Sequence, residues 1–368
     1  MNLNKNHSMA VHGGEVFRLA AEFGIEPDTI IDFSANINPL GLPEGVDSAL
    51  QRALQNLANY PEIEAESLRL CLTERHQLEP ENLIVGNGSS ALIYLLSRVL
   101  KPKKSLILSP TFTEYERALR QVQSEVVNLN CLIPDKNIAI NEIIQSIIKI
   151  QPDLVFLCNP NNPTGDLWSI TELEEMIAAL SRVGIICILD EAFIDFVGIE
   201  SSFAKRVVDF DNLIILRSLT KIYALAGIRC GYLLSGRSLN RLFSRFLEPW
   251  SVNSLALKAA VAALENDKEF IQDTIAFITK ERKYLTEKLG QLSFLKPYPG
   301  TANYVLTKVD KTVDCGQLSD FLFAHYKILI RRCGDYAGLD NNYVRFAVKK
   351  ECENRKLIEG LGEFQLQL

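Results

Sequence analysis

Residues 185–193 read IICILDEAF. Five apolar side chains follow one another without alternation, and the run ends in two acids. A strand with one wet face alternates apolar and polar residues. An unbroken apolar run belongs to a strand buried on both faces, as in the middle of a parallel sheet. The strand read here spans 185–190. Similar short runs occur at 83–87, 105–109, 125–129, 154–159, 213–217 and 231–234. Between them lie stretches with apolar residues at helical spacing, among them 89–100, 114–123, 171–182 and 238–247. This alternation predicts an α/β fold whose large domain holds a mostly parallel, seven-stranded sheet.

After Trp250 the texture changes. One long helical pattern runs from about 254 to 289. Strand-like pieces follow at 303–308, 328–332 and 343–348, with helical segments between and after them. These predict a smaller α+β domain that shares a wide interface with the first, because no Pro/Gly/Ser linker separates them.

The 368 residues are 47% hydrophobic and 23% charged, the composition of a globular protein with a large core. A net charge of −6 gives no basic face for nucleic acid. The eight cysteines form no C-x-x-C pair and no zinc-like spacing, so no metal site is expected. Cys158 and Cys187 lie in apolar runs and read as buried thiols, which suits a reducing compartment. The N-terminus has no apolar h-region and no run reaches membrane-span length. A cytoplasmic protein with no membrane partner is the expectation.

Three features sit where a strand gives way to a loop, which is where open α/β sheets bind ligands. Gly86-Asn-Gly-Ser-Ser90 opens a helix, so its backbone N–H groups could cradle a phosphate. It matches neither a P-loop nor a full G-x-G-x-x-G, since position 91 is alanine; a degenerate dinucleotide site would also need an acid about 20 residues on, and KSLILSP at 104–110 offers none. Asn159-Pro-Asn-Asn-Pro-Thr-Gly165 fixes a turn and presents side-chain amides. Leu189-Asp-Glu-Ala-Phe193 ends a buried strand in carboxylates that need a cation or donor. Lys221, in LRSLTKIYALAGIRCGYL (216–233), then supplies an amine. Near a buried carboxylate and a phosphate cradle its pKa can fall, and it can condense with a carbonyl. An aldehyde, a phosphate and a protonatable ring nitrogen occur together in pyridoxal 5′-phosphate.

NPNNPTG at 159–165, LDEAF at 189–193 and SLTKIYALAGIRCGY at 218–232, in this order, resemble the fold-type I, pyridoxal phosphate-dependent class I/II aminotransferases, near those acting on histidinol phosphate. Further stretches are similar to a decarboxylating branch of that stock, the threonine-phosphate decarboxylases of cobalamin biosynthesis: HGG at 12–14, DFSANINPLGLP at 32–43, NYPE at 59–62, PWSVN at 249–253, ILIRRC at 328–333 and YAGLDNNYVRFAV at 336–348. The resemblance implies an N-terminal arm (1–40) contributing to the small domain and active site, a large cofactor-binding domain (41–252) and a small C-terminal domain (253–368).

It also implies roles. Lys221 condenses with the cofactor's aldehyde, Asp190 pairs with the ring nitrogen, Asn162 reaches the ring hydroxyl and Phe112 stacks on the ring. Gly88, Ser89, Ser218 and Arg229 hold the phosphate. Tyr60 reaches across a homodimer interface into the neighbouring site. A phosphorylated amino acid would be met by His12, Gly13, Asn36, Asn162, Arg331 and Arg345; two guanidinium groups suit a phosphate and a carboxylate. Arg332 should point opposite to Arg331 if the strand alternates. Aminotransferases of this group usually carry tyrosine where this chain has Phe193, a phenylalanine shared by the decarboxylases. Decarboxylation of L-threonine O-3-phosphate is therefore the expected reaction. The alternatives are a histidinol-phosphate-type aminotransferase and a non-catalytic protein that binds pyridoxal phosphate, against which the joint presence of Lys221 and Asp190 argues.

Overall fold

The structure is a computed structural model that describes residues 13–136, 138–265 and 267–368. The first strand, β1 (Ile31–Asp32), stands outside the main sheet. Seven strands make up that sheet: β2 (Leu83–Gly86), β3 (Lys104–Ser109), β4 (Glu125–Asn130), β5 (Leu154–Cys158), β6 (Ile186–Asp190), β7 (Leu213–Ser218) and β8 (Gly231–Ser235), in the spatial order β2-β8-β7-β6-β5-β3-β4. All neighbours run parallel except β8, which is antiparallel to both β2 and β7.

The absence of alternation in the sequence has a direct cause. Val155, Leu157, Cys187, Leu189, Leu213 and Ile215 enter one apolar cluster. Their strand neighbours Leu154, Phe156, Ile188, Ile214 and Leu216 enter another. Each strand thus feeds two cores, one per sheet face, and helices such as Gly88–Leu100 and Ile170–Arg182 cover those faces. Cys158 and Cys187 are buried free thiols, as expected.

The remaining strands are β9 (Leu295–Tyr298), β10 (Tyr304–Val309), β11 (Ile328–Leu329), β12 (Arg331–Arg332) and β13 (Tyr343–Ala347). Four of them form an antiparallel sheet in the order β12-β13-β10-β9. The fifth, β11, pairs in parallel with β1, which ties residues 31–32 to 328–329. No helix among the described residues is long and apolar enough to cross a membrane.

Two expectations need correction. The pattern at 254–289 is two helices, Ser254–Leu264 and Asp267–Leu289. Glu265 leaves the helix with φ −67° and ψ 118°. Asp267 is then buried and accepts hydrogen bonds from Arg75 Nη1 at 2.6 Å and from the Tyr223 hydroxyl. The stretch 328–332 is two strands in different sheets, because β11 follows β1 whereas β12 follows β13. Strands β1 and β9 were not expected; their short runs lack a distinctive pattern.

Candidate active site

Parallel register brings three loops together at the carboxyl ends of the central strands. Cys158 faces Asp190, and Asp190 faces Leu216. The asparagine-rich turn, the acidic pair and the Ser218–Lys221 segment therefore leave the sheet side by side, within one or two strand spacings. Leu219–Ile222 forms a single helical turn that Ser218 caps, and this turn carries Lys221.

Asp190 is buried. Its Oδ2 accepts from the Tyr115 hydroxyl at 2.6 Å and its Oδ1 from the Ala192 amide at 2.9 Å. Burial pushes its pKa up, against these two donors and the charges of Lys221 and Arg217. Such a carboxylate is costly to leave without a cation. Lys221 is half-buried. Burial first, then the charges of Arg229 and Arg345, lower its pKa to about 8, with Asp190 opposing them. Roughly a tenth of the amine is thus unprotonated at pH 7, far more than for an ordinary lysine, and the condensation chemistry uses that form.

The second acid of the pair takes a different part. Glu191 and Arg217 are fully buried and paired at 3.1 Å, and Arg217 also donates to Asp195 at 2.6 Å. Strand alternation puts Arg217 and Glu191 on the opposite side from their neighbours Ser218 and Asp190. This ionic group fastens the ends of β6 and β7 from behind.

An anion cradle lies at the start of the Gly88–Leu100 helix. Its N-cap, Asn87, makes no side-chain cap, and no acid occupies the first turn. Gly88 has φ +79°, and a Cβ there would sit 2.5 Å from Arg229 Nη2, so the guanidinium lies against the glycine backbone. Uncapped N–H groups next to a guanidinium suit an anion such as a phosphate. A Cβ on Gly231 would come 2.5 Å from the backbone nitrogen of Ser89, so β8 packs directly against the helix start. Ser218 is buried, with its hydroxyl 2.7 Å from that of Thr220.

On the small-sheet side, Arg331 and Arg345 are register partners on β12 and β13, and both are buried. Arg345 donates Nη1 to Asn162 Oδ1 and Nη2 to the Ser34 carbonyl at 2.7 Å. Asn162 Oδ1 also accepts from the Tyr336 hydroxyl at 3.4 Å. These contacts leave the Asn162 amide nitrogen to act as a donor. Arg331 donates to Asp335 at 2.7 Å and to the Arg332 carbonyl, with its guanidinium 5.0 Å from the Tyr336 ring centre. Burial opposes the charge on Arg331, but Tyr336 and Asp335 outweigh it and hold the pKa above the ordinary value. Arg332, the other residue of β12, is half-buried.

Gly13 lies against Ser34, since a Cβ there would come 2.2 Å from the Ser34 carbonyl oxygen. Asn36 is buried, and its Oδ1 has no hydrogen-bond partner among the described residues. Two residues on, the Asn38 amide donates to the Lys221 carbonyl at 3.0 Å. Phe112 is half-buried and sets its ring at 86° to Tyr115. Phe193 is buried, with its ring edge-on to Tyr304 at 5.1 Å. Tyr60 is 81% exposed and sets its ring against that of Trp250, with centroids 4.9 Å apart and planes tilted by 31°. His12 lies outside the described residues.

Asp190, Lys221, Asn162, Arg229, Arg345 and Gly88 are therefore linked by contact or charge. They fit pyridoxal phosphate: an uncapped helix start for its phosphate, an aligned carboxylate for its ring nitrogen and an amine of lowered pKa for its aldehyde. The sequence reading missed Tyr115, Tyr336 and Asp335. Tyr336 opens the stretch YAGLDNNYVRFAV but was given no role, and the only signal for Tyr115 was its place three residues after Phe112.

The family model described as aminotransferase class I and II matches residues 28–361. The chain is 37% identical to threonine-phosphate decarboxylase of Salmonella typhimurium, covering 96% of each. It is 33% identical to the adenosylcobalamin biosynthesis bifunctional protein CobDQ of Leptospira interrogans, where it covers 40% of the longer chain. Among solved structures, histidinol-phosphate aminotransferase from Clostridium acetobutylicum superposes with a TM-score of 0.84 at 31% identity, covering 91% of this chain and 99% of that one.

Proposed function

Because the chain belongs to the aminotransferase class I and II family, we propose that it is a pyridoxal phosphate-dependent carboxy-lyase. It converts L-threonine O-3-phosphate to (R)-1-amino-2-propanol O-2-phosphate and CO₂, in cobalamin biosynthesis. The observation that carries this reading is the end-to-end likeness to a threonine-phosphate decarboxylase. Phe193 and the paired guanidinium groups of Arg331 and Arg345 support it.

When bound, pyridoxal phosphate supplies an aldehyde that condenses with amines and a cationic ring that accepts the electron pair of a bond broken at the substrate Cα. The chain's residues decide which bond that is. Gly88, Ser89, Ser218 and Arg229 anchor the phosphate end, and Phe112 covers the ring face. Asp190 offers its carboxylate to the ring nitrogen and keeps it cationic. Asn162 donates its amide to the ring oxygen. Phe193 brings no hydroxyl to that oxygen, unlike the tyrosine of typical aminotransferases.

Arg331 and Arg345 bind the substrate's two anionic groups, together with Asn36 and the Gly13 backbone. By fixing both, they would decide how the substrate's Cα bonds are presented, so that its carboxylate rather than its Cα proton would be the group lost. Lys221, with a pKa about 8, carries a proton on Nζ and returns it to Cα as general acid. The functional unit is a homodimer, with Tyr60 of one subunit completing the site of the other.

The runner-up is a histidinol-phosphate-type aminotransferase, favoured by the structural likeness. Incubating the protein with pyridoxal phosphate and L-threonine O-3-phosphate separates the two. Release of CO₂ without any 2-oxoglutarate is the expected result. Conversion of the cofactor to pyridoxamine phosphate, with turnover only when 2-oxoglutarate is added, would transfer the assignment to the aminotransferase.

A further inference from the structure

Tyr115 lies in the second position of the helix Glu114–Gln121 and is fully buried. Its ring stacks on Phe156 of β5, with centroids 4.6 Å apart and planes 10° apart. The Phe112 ring meets it edge-on at 5.6 Å and 86°. Its hydroxyl donates to Asp190 Oδ2 at 2.6 Å. One side chain thus touches two residues assigned to opposite parts of the cofactor ring: the carboxylate at the nitrogen and the phenyl on the face.

The packing leaves this phenol little freedom. Phe156 and Phe112 fix the ring, so the direction of the hydroxyl bond is fixed as well. The Ala192 amide holds the other oxygen of Asp190 at 2.9 Å. Two donors on two different oxygens define the plane of the carboxylate, and each oxygen keeps a further lone pair for a third partner.

Building on the cofactor assignment, we infer that Tyr115 is a positioning residue. Its hydroxyl aims the Asp190 carboxylate at the cofactor's ring nitrogen and keeps it ionised, and its ring sets the tilt of Phe112. Several charged or titratable groups act on Asp190: Tyr115 from the covering helix, Cys158 from β5, Lys221 from the turn after β7 and, at longer range from the other side, Arg217. The Cys158 thiol is held well above its usual range by burial and stays neutral. Arg217 is committed to Glu191 and Asp195. Burial raises the pKa of Asp190, and the Tyr115 hydrogen bond is the largest opposing influence.

The test is Tyr115→Phe, which keeps the ring and removes one oxygen. Pyridoxal phosphate is titrated into the cofactor-free full chain from pH 5 to 8, and the apparent Kd is read from the cofactor's absorbance. Loss of the donor moves the Asp190 pKa further up, so the carboxylate is protonated at a higher pH. The acid limb of binding should move upward by about half to one pH unit, and the Kd at pH 6 should rise correspondingly, roughly 3- to 10-fold, with a smaller change at pH 8. In an Asp190→Ala background, adding Tyr115→Phe should change the Kd by less than about 2-fold, because the group it acts through is gone.

An unshifted acid limb with an unchanged Kd in Tyr115→Phe overturns the inference, as does a full loss that persists in the Asp190→Ala background. Wild-type protein that binds no pyridoxal phosphate would instead overturn the cofactor assignment itself, so the two failures are distinguishable.

Discussion

Lys221 combines a reactive amine with an energetic liability. Its amine is held near a pKa of about 8 by burial and by the charges of Arg229 and Arg345, whereas an unfolded lysine sits near 10.4. Below pH 8 the amine is protonated in both states, and the native protein bears the whole cost of that charge. Between the two values the unfolded chain binds the extra proton, so this group's contribution to stability improves as pH rises. Lys221→Met should therefore raise the melting temperature of the cofactor-free protein at pH 7 by about 1–2 °C, corresponding to roughly 1 kcal/mol after allowance for partial exposure. The gain should shrink as pH is raised toward 10. Calorimetry across that range checks it, and a gain independent of pH would show that packing, not charge, is responsible. Borohydride reduction of the loaded wild type should mark Lys221, and the variant should show no marked lysine. Lys221, Asp190 and Asn162 were legible because each stands in a motif at the end of an apolar strand. Tyr115 was not, since its meaning depends on Asp190, 75 residues away in the chain.

At the scale of elements, the apolar runs place every end of the seven central strands to within one residue, because strands buried on both faces leave few other readings. Shorter features failed for definite reasons. The helical pattern at 254–289 conceals a break that depends on Arg75 and Tyr223 reaching Asp267; the Glu-Asn-Asp sequence at 265–267 was the available hint, since such residues favour helix starts. The split of 328–332 is invisible locally, because it depends on which partner strand each half finds. The buried ions behind the site also belong to this scale. Arg217 joins the ends of β6 and β7 through Glu191 and Asp195, with all three side chains almost out of solvent. Arg217→Met leaves Glu191 without its cation and Asp195 with only Arg75, 3.8 Å away, and should cost about 3–5 kcal/mol in urea unfolding. Adding Glu191→Gln and Asp195→Asn should recover much of that loss, because the uncompensated charges are then removed. If the triple variant is no better than the single one, shape rather than charge dominates at that junction.

At the scale of the whole molecule, the question is whether one chain forms a complete site. Tyr60, Ile63 and Trp250 are exposed yet contiguous: the Tyr60 ring packs against that of Trp250, and the Trp250 amide donates to the Ile63 carbonyl at 3.2 Å. Leu54 and Leu57, also exposed, precede them in the chain. An apolar surface of this kind, next to residues proposed to serve a second site, supports the homodimer. Sedimentation should then give a particle of about twice the 41.3 kDa chain mass. Subunit mixing tests the shared site more sharply. Lys221→Ala disables the site of its own subunit, while Tyr60→Ala impairs the site of its partner. A hybrid dimer places both lesions in one site and leaves the other intact. Random reassortment makes about half the dimers hybrid, with one good site in each, so mixing two impaired proteins should restore about a quarter of wild-type CO₂ release. If Tyr60 serves its own subunit, every hybrid site carries one lesion, and mixing restores nothing beyond the average of the two parents.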